Sequence, residues 1–585
     1  MLRFGVNILS VISLIWAGGA YALGLTGTIK DGNGQPLAGV MVKVTSASAA
    51  AIVTKVFTDA KGEYIVPNLG RRVGINSVYV ETFKLGYEQA QPQARALADL
   101  LPKISQDVAQ VDFILKSVTN IATQISGSAW LALTPDSEEK KQTIVTCTQC
   151  HQLPNERVKR LSVGLANLDA AQRETVWRTM VGAMRTVMYG VLTAEHTKLM
   201  SPELIAEASK PENSLIDQRD EDIVATWLTK YMPSNFDNYD VANSALFAKV
   251  PLGVTKKTSI REFQYDEKKS SIRETAIVNG QYWLADMARN RIGTVDLKNG
   301  LYTWYDIPSP GAPVVHTMVP DSEGNIWVTL IGGTGDIAAV LNPKVETWRV
   351  YKGPKAIAAH DFSQGAGYRM EFDHNNIAWM TIFSHNKVLG FNRTTGEVTP
   401  FYDLPLPDWG GSHIHAIVYG GGMTSDKNFW FAQYNGNLGR FNTQSRKVDY
   451  IQHYKYGDGP HRMAVTDKDL IYLTLIGSGQ ISVIDAKQLK EIKRIDLPDL
   501  SSAPYTIAWD KRRNAMWIGT VNNDSLYKYD ISSGTFTEYP VGIKDMHIRV
   551  ISIDQTNGDL WMVNNPLPSN ESEMCRAILY HPGDI

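Results

Sequence analysis

The sequence predicts three folding units in series: a β-sandwich over residues 23–118, an all-α domain over 132–233 and a seven-bladed β-propeller over 260–585. Three observations predict it. From about residue 260 a turn followed by an aromatic strand recurs every 40 to 50 residues, a period that belongs to propellers and solenoids. Between residues 25 and 118 apolar and polar residues alternate between Asp-Gly and Asn-Gly turns, the pattern of half-buried strands. Apolar residues at helical spacing are confined to 132–233. A chain of 585 residues also exceeds what one core supports. Its net charge of −2, with no basic block, argues against a nucleic-acid partner.

The amino terminus reads "MLRFGVNILSVISLIWAGGAYALG". Arg3 precedes an apolar run from Phe4 to Ala17, and Ala20-Tyr21-Ala22 supplies small residues at cleavage spacing. Residues 1–22 are therefore expected to be a signal peptide cut after Ala22, giving a periplasmic or secreted protein. The run is short for an uncleaved anchor, and no other apolar run reaches membrane length, so the processed chain is not expected to span a membrane.

The first unit, "LTGTIKDGNGQPLAGVMVKV", turns at Asp31-Gly32-Asn33-Gly34, and "VFTDAKGEYIVPNL" repeats the scheme around Asp59 to Gly62. In Gly27, Asp31, Gly34, Pro36, Leu37, Gly39, Val40, Val42, Thr58, Asp59, Gly62, Tyr64, Gly86 and Tyr87 it resembles the carboxypeptidase regulatory-like domain of the carbohydrate-binding-like fold group. That resemblance implies a structural or docking module. No cluster of exposed aromatics with polar partners suggests a sugar platform. Lys116 to Leu131 reads as the connection to the second unit.

The second unit carries "CTQCH", in which Cys147, Cys150 and His151 form Cys-x-x-Cys-His, the attachment signature of c-type haem. Two thiols add to the haem vinyl groups and the imidazole becomes the proximal iron ligand. A disulfide would not require the histidine. A zinc site would need a second ligand pair, and a redox dithiol would need a βαβ context; neither stands nearby. One covalent haem c is expected. "AAQRETVWRTMVGAMRTVMYG" and "DEDIVATWLTKYMP" read as helices, the second stopped by Pro233. With the motif helix they resemble a small class I-like cytochrome c domain, which implies a second axial ligand, often methionine. Met184 is the expected iron ligand opposite His151; Met180, Met188, Met200 and His196 are the alternatives. Residues 233–259 read as a linker.

The third unit is anchored at Trp283, Trp327, Trp379, Trp430, Tyr472, Trp517 and Trp561, as in "DSEGNIWVTL" and "DHNNIAWMTI". One such sheet cannot cover both its faces; seven packed around an axis can. His415-Ala416-Ile417, Trp430-Phe431-Ala432 and Asn437-Leu438-Gly439-Arg440 resemble the virginiamycin B lyase propellers. That family is thought to use a histidine and a glutamate with magnesium, for which His415 or His461 would stand as base. Gln433 and Leu475 occupy places where a glutamate is expected, which puts that cleavage in doubt.

Counting back about ten residues from each anchor gives Glu274, His316, Tyr368, His415, His461, Tyr505 and Arg549, with Arg369, Arg462, His413 and His547 beside them. These strand starts are expected to converge on one mouth of the channel. They would offer a base near neutrality, a divalent-metal site, or an oxyanion cradle. A water-filled polar channel without chemistry is the plain alternative. Cys575 reads as a buried thiol with no role. The leading functional expectation is an oxidoreductase that takes a small organic substrate at the mouth and passes electrons through the haem to a periplasmic partner. A lyase with an accessory cytochrome and a non-catalytic electron-transfer or binding protein are the alternatives.

Overall fold

The computed structural model describes residues 24–46, 52–67, 78–89, 95–96, 104–105, 108–190, 218–246, 250–264, 271–309, 314–331, 335–353, 367–382, 386–407, 418–434, 436–565 and 576–584. The expected signal peptide, Met200, His196, His413, His415 and Cys575 lie outside them. Among the described residues no helix is long and apolar enough to cross a membrane.

Strand pairing dominates. Six four-stranded antiparallel sheets follow one another from Ile272 to Pro540, each strand paired with the next in sequence. A seventh unit takes strands Ile548–Ile553, Leu560–Asn564 and Arg576–His581 and closes with Ser259–Gln264, the strand that precedes the first blade. The innermost strands touch in order around the molecule, and the seventh touches the first, which closes the ring of a β-propeller. Ser259–Gln264 thus supplies the outermost strand of blade seven, and its far edge is itself paired with Ile52–Phe57.

The recurring Asp-to-Trp spacing has a direct cause. Asp321 accepts backbone N–H bonds from Glu323 and Asn325 and the Trp327 indole N–H at 2.8 Å. Asp373 does the same for its own turn and for Trp379 at 2.9 Å, and Asp510 for Trp517 at 3.0 Å. In blade four Thr424 replaces the carboxylate, accepting from Trp430 at 3.1 Å. Each side chain thus fixes the turn and satisfies an indole buried in the wedge between blades.

Each innermost strand also carries a β-bulge at the same place, one extra residue between Ile272/Glu274, Val315/Met318, Gly367/Met370, Val418/Gly420, Pro460/Met463, Pro504/Thr506 and Ile548/Ile551. A bulge re-aims the side chain it contains.

Ahead of the propeller, two sheets share one apolar core of Leu25, Ile29, Val42, Val56, Tyr64, Val80, Phe113 and Leu115. The turn residues act as their types require. Asp31 Oδ1 accepts from Asn33 and Gln35, and Gly34 sits at φ +81°. One of these sheets is continuous with blade seven: Ile52–Phe57 pairs antiparallel with Ser259–Gln264, making eight strands in all. At this seam Lys55 and Glu262 form a fully buried ion pair, and Lys55 Nζ donates to the carbonyls of Val541 and Gly542 at 2.9 and 2.8 Å.

Between these units lie helices α1 (Gly127–Leu131), α2 (Glu138–Cys147), α3 (Glu156–Gly164), α4 (Ala170–Gly190) and α5 (Gln218–Tyr231). Ser137 caps α2 and Asn155 caps α3 through their side-chain oxygens. Trp177 and Val181 of α4 share a cluster with Val224 and Leu228 of α5, and that cluster runs on into propeller residues Tyr419, Tyr434, Ile476 and Tyr505. The segment expected to connect the first two units already contains α1. The 233–259 stretch is not a free linker: Gly253 N donates to the Glu538 carbonyl at 2.8 Å and Asn120 bridges to Asp240.

Candidate functional site

Helix α2 ends on Cys147, and the turn after it carries Cys150 and His151. The two thiols are not joined. Burial pushes the Cys147 thiol up to about 12 and raises that of Cys150, so both are protonated near neutrality. His151 is largely buried, and burial first, then the Arg157 and Arg549 charges, hold its imidazole neutral. Its Nδ1 donates to the Gln152 carbonyl at 2.7 Å, and among the described residues no hydrogen bond engages the lone pair of Nε2. Two unlinked thiols beside a neutral imidazole with a bare Nε2 form a donor set that fits haem c. Met184 is half-buried against the same apolar cluster as Cys147, whereas Met180 on that helix faces out. The side chain of Met188 lies outside the described residues.

This loop is docked on the propeller. Arg549 Nη1 donates to the Gln149 carbonyl at 2.6 Å, and its Nη2 to the Cys150 carbonyl at 3.1 Å. His547 Nδ1 donates to the same Cys150 oxygen at 3.0 Å. Leu153 N donates to Asn522 Oδ1 at 2.9 Å, Gln152 Nε2 to Asp524 Oδ1 at 2.5 Å, and Tyr434 Oη to the Val145 carbonyl at 2.6 Å. Gly459 lets the backbone approach: at φ +70°, a Cβ there would lie 2.7 Å from Val145 Cγ2. Burial pushes the Asp524 carboxyl up to about 7.

Beneath the loop lies a ring built from the seven bulges: Arg273, His316, Tyr368, Tyr419, His461, Tyr505 and Arg549, all buried. His316, Tyr368, His461, Tyr505 and Arg549 take the positions expected of them. Two expectations are corrected. Glu274 lies one residue past the ring, because the first blade has a shorter hairpin, and Arg273 holds its place. His415 precedes the described strand Val418–Met423, and Tyr419 holds the ring position of blade four. Sequence reasoning missed Arg273, Tyr419 and Tyr434. Constant spacing back from Trp430 would have found Tyr419.

The ring is wired together. Arg273 donates to the phenol oxygens of Tyr368 and Tyr419, each at 2.9 Å; Tyr419 and Tyr505 share a short hydroxyl hydrogen bond; Arg549 donates to Tyr505 at 3.0 Å. His316 stacks on Tyr368 with ring centroids 3.5 Å apart, and His461 on Tyr419 at 3.9 Å. Burial raises the Tyr419 phenol, but the Arg273, Arg462 and Arg549 charges outweigh it and bring it to about 8. Burial and those same arginines push His316 and His461 well below the usual histidine range. The expectation of an imidazole base near neutrality is therefore corrected for these two. Among the described residues no group of three or more His, Cys, Asp or Glu side chains could hold a metal ion. Gln433 spans two blades instead, donating to Asn386 and the Pro405 carbonyl, each at 2.6 Å.

The loop covers the mouth at which substrate entry was expected. A cavity of about 350 Å³ lies instead on the other side of the ring. It is lined by the residues that follow the ring along the inner strands, among them Glu274, Thr317, Arg369, Gly421, Arg462 and Val550. Glu274 accepts a hydrogen bond from Arg462 there, and Arg369 Nη2 lies 2.8 Å from Glu371.

Comparison with protein-family models finds no match, and neither does comparison with curated proteins. Among solved structures, selenomethionine-substituted virginiamycin B lyase from Staphylococcus aureus aligns over 55% of this chain and 98% of its own, with 20% identity and a TM-score of 0.44. A streptogramin B lyase structure aligns over 55% and 97%, with 19% identity and a TM-score of 0.45. A catalytically inactive form of the Staphylococcus aureus enzyme with quinupristin aligns over 55% and 98%, with 20% identity and a TM-score of 0.44. At these values the likeness carries no statement about chemistry.

Proposed function

We propose that the chain is an exported c-type haem protein, an oxidoreductase in which a small organic substrate occupies the propeller channel and electrons leave through the haem to a periplasmic partner. Residues 23–118 would act as a sandwich-type docking module and residues 132–233 as the cytochrome domain. Cys147 and Cys150 would hold the group covalently, with His151 and Met184 as its axial ligands. Haem c supplies a one-electron iron couple, and axial methionine raises its potential.

The observation that carries the reading is the clamp between loop and ring. Arg549 touches both the Cys150 carbonyl and the Tyr505 hydroxyl, so the attachment loop and the channel lining form one hydrogen-bonded unit. A haem module kept merely for transport would not need its binding loop seated on a neighbouring channel. The His151 tautomer supports the reading independently, since its Nε2 is available as a ligand.

A buried cation near the loop raises the potential of a redox group whose reduced form is less positive. Redox titration of the visible bands of the full chain, matured in a host that attaches haem c, tests this. The Arg549→Met variant is expected to titrate lower by on the order of tens of millivolts. Absent bands, or an unchanged potential, would count against the reading.

A further inference from the structure

The channel cavity is lined by two arginines and one carboxylate, and the ring at its inner end carries two further arginines. Arg462 lines it, Arg273 and Arg549 stand in the adjoining ring, and among the described residues Glu274 is the one carboxylate hydrogen-bonded to any of the three. Arg369, further along the wall, is matched by Glu371. Among the described residues the guanidiniums of Arg273 and Arg549 are hydrogen-bonded only to phenols and carbonyls. Cations held in a buried space without counter-charge are costly unless an anion joins them. The Nε atoms of Arg462 and Arg273 are buried and have no hydrogen-bond partner among the described residues, and Arg462 lines the cavity.

The remaining wall is of another kind. Ile277, Met318, Ile507, Ala508, Val550 and Ile551 give it apolar surface. Gly421 keeps it open, for a Cβ there would lie 2.8 Å from Arg369 Cγ. At about 350 Å³ the space is far larger than an inorganic anion needs and falls in the range of small-molecule sites.

We propose that this cavity binds a small organic acid, its carboxylate held at Arg462 with Arg369 alongside and its apolar body against Met318, Ile507 and Val550. The proposal rests on the reading above and names the substrate class for it. An arginine fork suits a carboxylate, and an ammonium would be repelled.

The test is calorimetric titration of the full-length protein with benzoate, benzamide, benzylamine and sulfate. Benzoate is expected to bind saturably, benzamide and sulfate at least tenfold more weakly, and benzylamine not at all. Arg462→Gln is expected to weaken benzoate at least tenfold. Arg369→Gln, at a half-exposed position, repeats the test with little risk to the fold and is expected to weaken benzoate severalfold. Benzamide or benzylamine binding as well as benzoate would overturn the proposal. So would sulfate binding as tightly, or both variants binding like the wild type. Haem content is read separately by absorbance. A colourless chain that binds benzoate overturns only the redox reading; a haem-bearing chain that does not bind it overturns only this one.

Discussion

Replacing Arg549 with methionine should release the Cys-x-x-Cys-His loop from the propeller. The guanidinium is fully buried and donates to four oxygens, those of Gln149, Cys150 and Asn565 and the Tyr505 hydroxyl, at 2.6, 3.1, 2.9 and 3.0 Å. A hydrogen bond from a charged donor contributes about 1.5–3 kcal/mol, and buried acceptors left bare add a desolvation penalty. Against this, the variant removes one of three cations gathered in the ring, which relieves repulsion. The contributions are not additive. A net loss of about 3 kcal/mol in docking corresponds to more than a hundredfold increase in loop opening. Hydrogen exchange read by mass spectrometry is the assay. In the variant the peptide spanning residues 144–155 should lose about a hundredfold of protection, while blade five, from Pro460 to Asp496, keeps its own. Unchanged protection in 144–155 would show that the clamp does not hold the loop, and the coupling of loop to channel would fail with it.

Three further outcomes are expected. Lys55→Met should cost about 1.5–3 kcal/mol in urea unfolding, because it removes one of the two cations that balance the buried Glu262 and leaves Arg576, at 2.8 Å, as the other; adding Glu262→Met should recover part of that loss. Asp524 holds its proton to about pH 7 when folded and to about pH 4 when unfolded, so its contribution to stability is complete below pH 4 and is lost as pH rises to 7. The stability difference between wild type and Asp524→Asn should therefore move by about 3 kcal/mol across that window, with the wild type weakening as pH rises. Asp373→Ala removes the acceptor of the Trp379 indole and of two turn amides, and should cost about 2–3 kcal/mol in thermal or urea melts.

Much of this architecture is legible in the sequence because it is local. In blades two and three the turn aspartate and the tryptophan six residues on are tied by one side-chain hydrogen bond, and blades four and six vary it with Thr424 and with a seven-residue spacing, so the word recurs along the chain. The ring is legible where hairpin length is constant, as from His316 to Trp327 and from His461 to Tyr472. It slips where length changes, which is why Arg273 stands where Glu274 was expected. In blade four His415 lies too far ahead of Trp430 for the common spacing, and Tyr419, at the same distance from its anchor as His316 and His461 from theirs, is the residue in place. Nothing local announces that Ile52–Phe57 pairs with Ser259–Gln264, since edge strands far apart in the chain share no pattern. Nor does any spacing tell that Arg549 reaches the Cys150 carbonyl. The histidines were read as bases from their type alone; three arginines close by change that chemistry, and their convergence is a property of the fold.

The measurement that bears most directly on the account is the intact mass of the full chain, purified from a host that attaches haem c, alongside its alkaline pyridine spectrum. The account predicts one covalently held porphyrin per chain, lost when Cys147 and Cys150 are both changed to serine. A colourless protein of bare polypeptide mass, with all three cysteines titratable as thiols after unfolding, would contradict it.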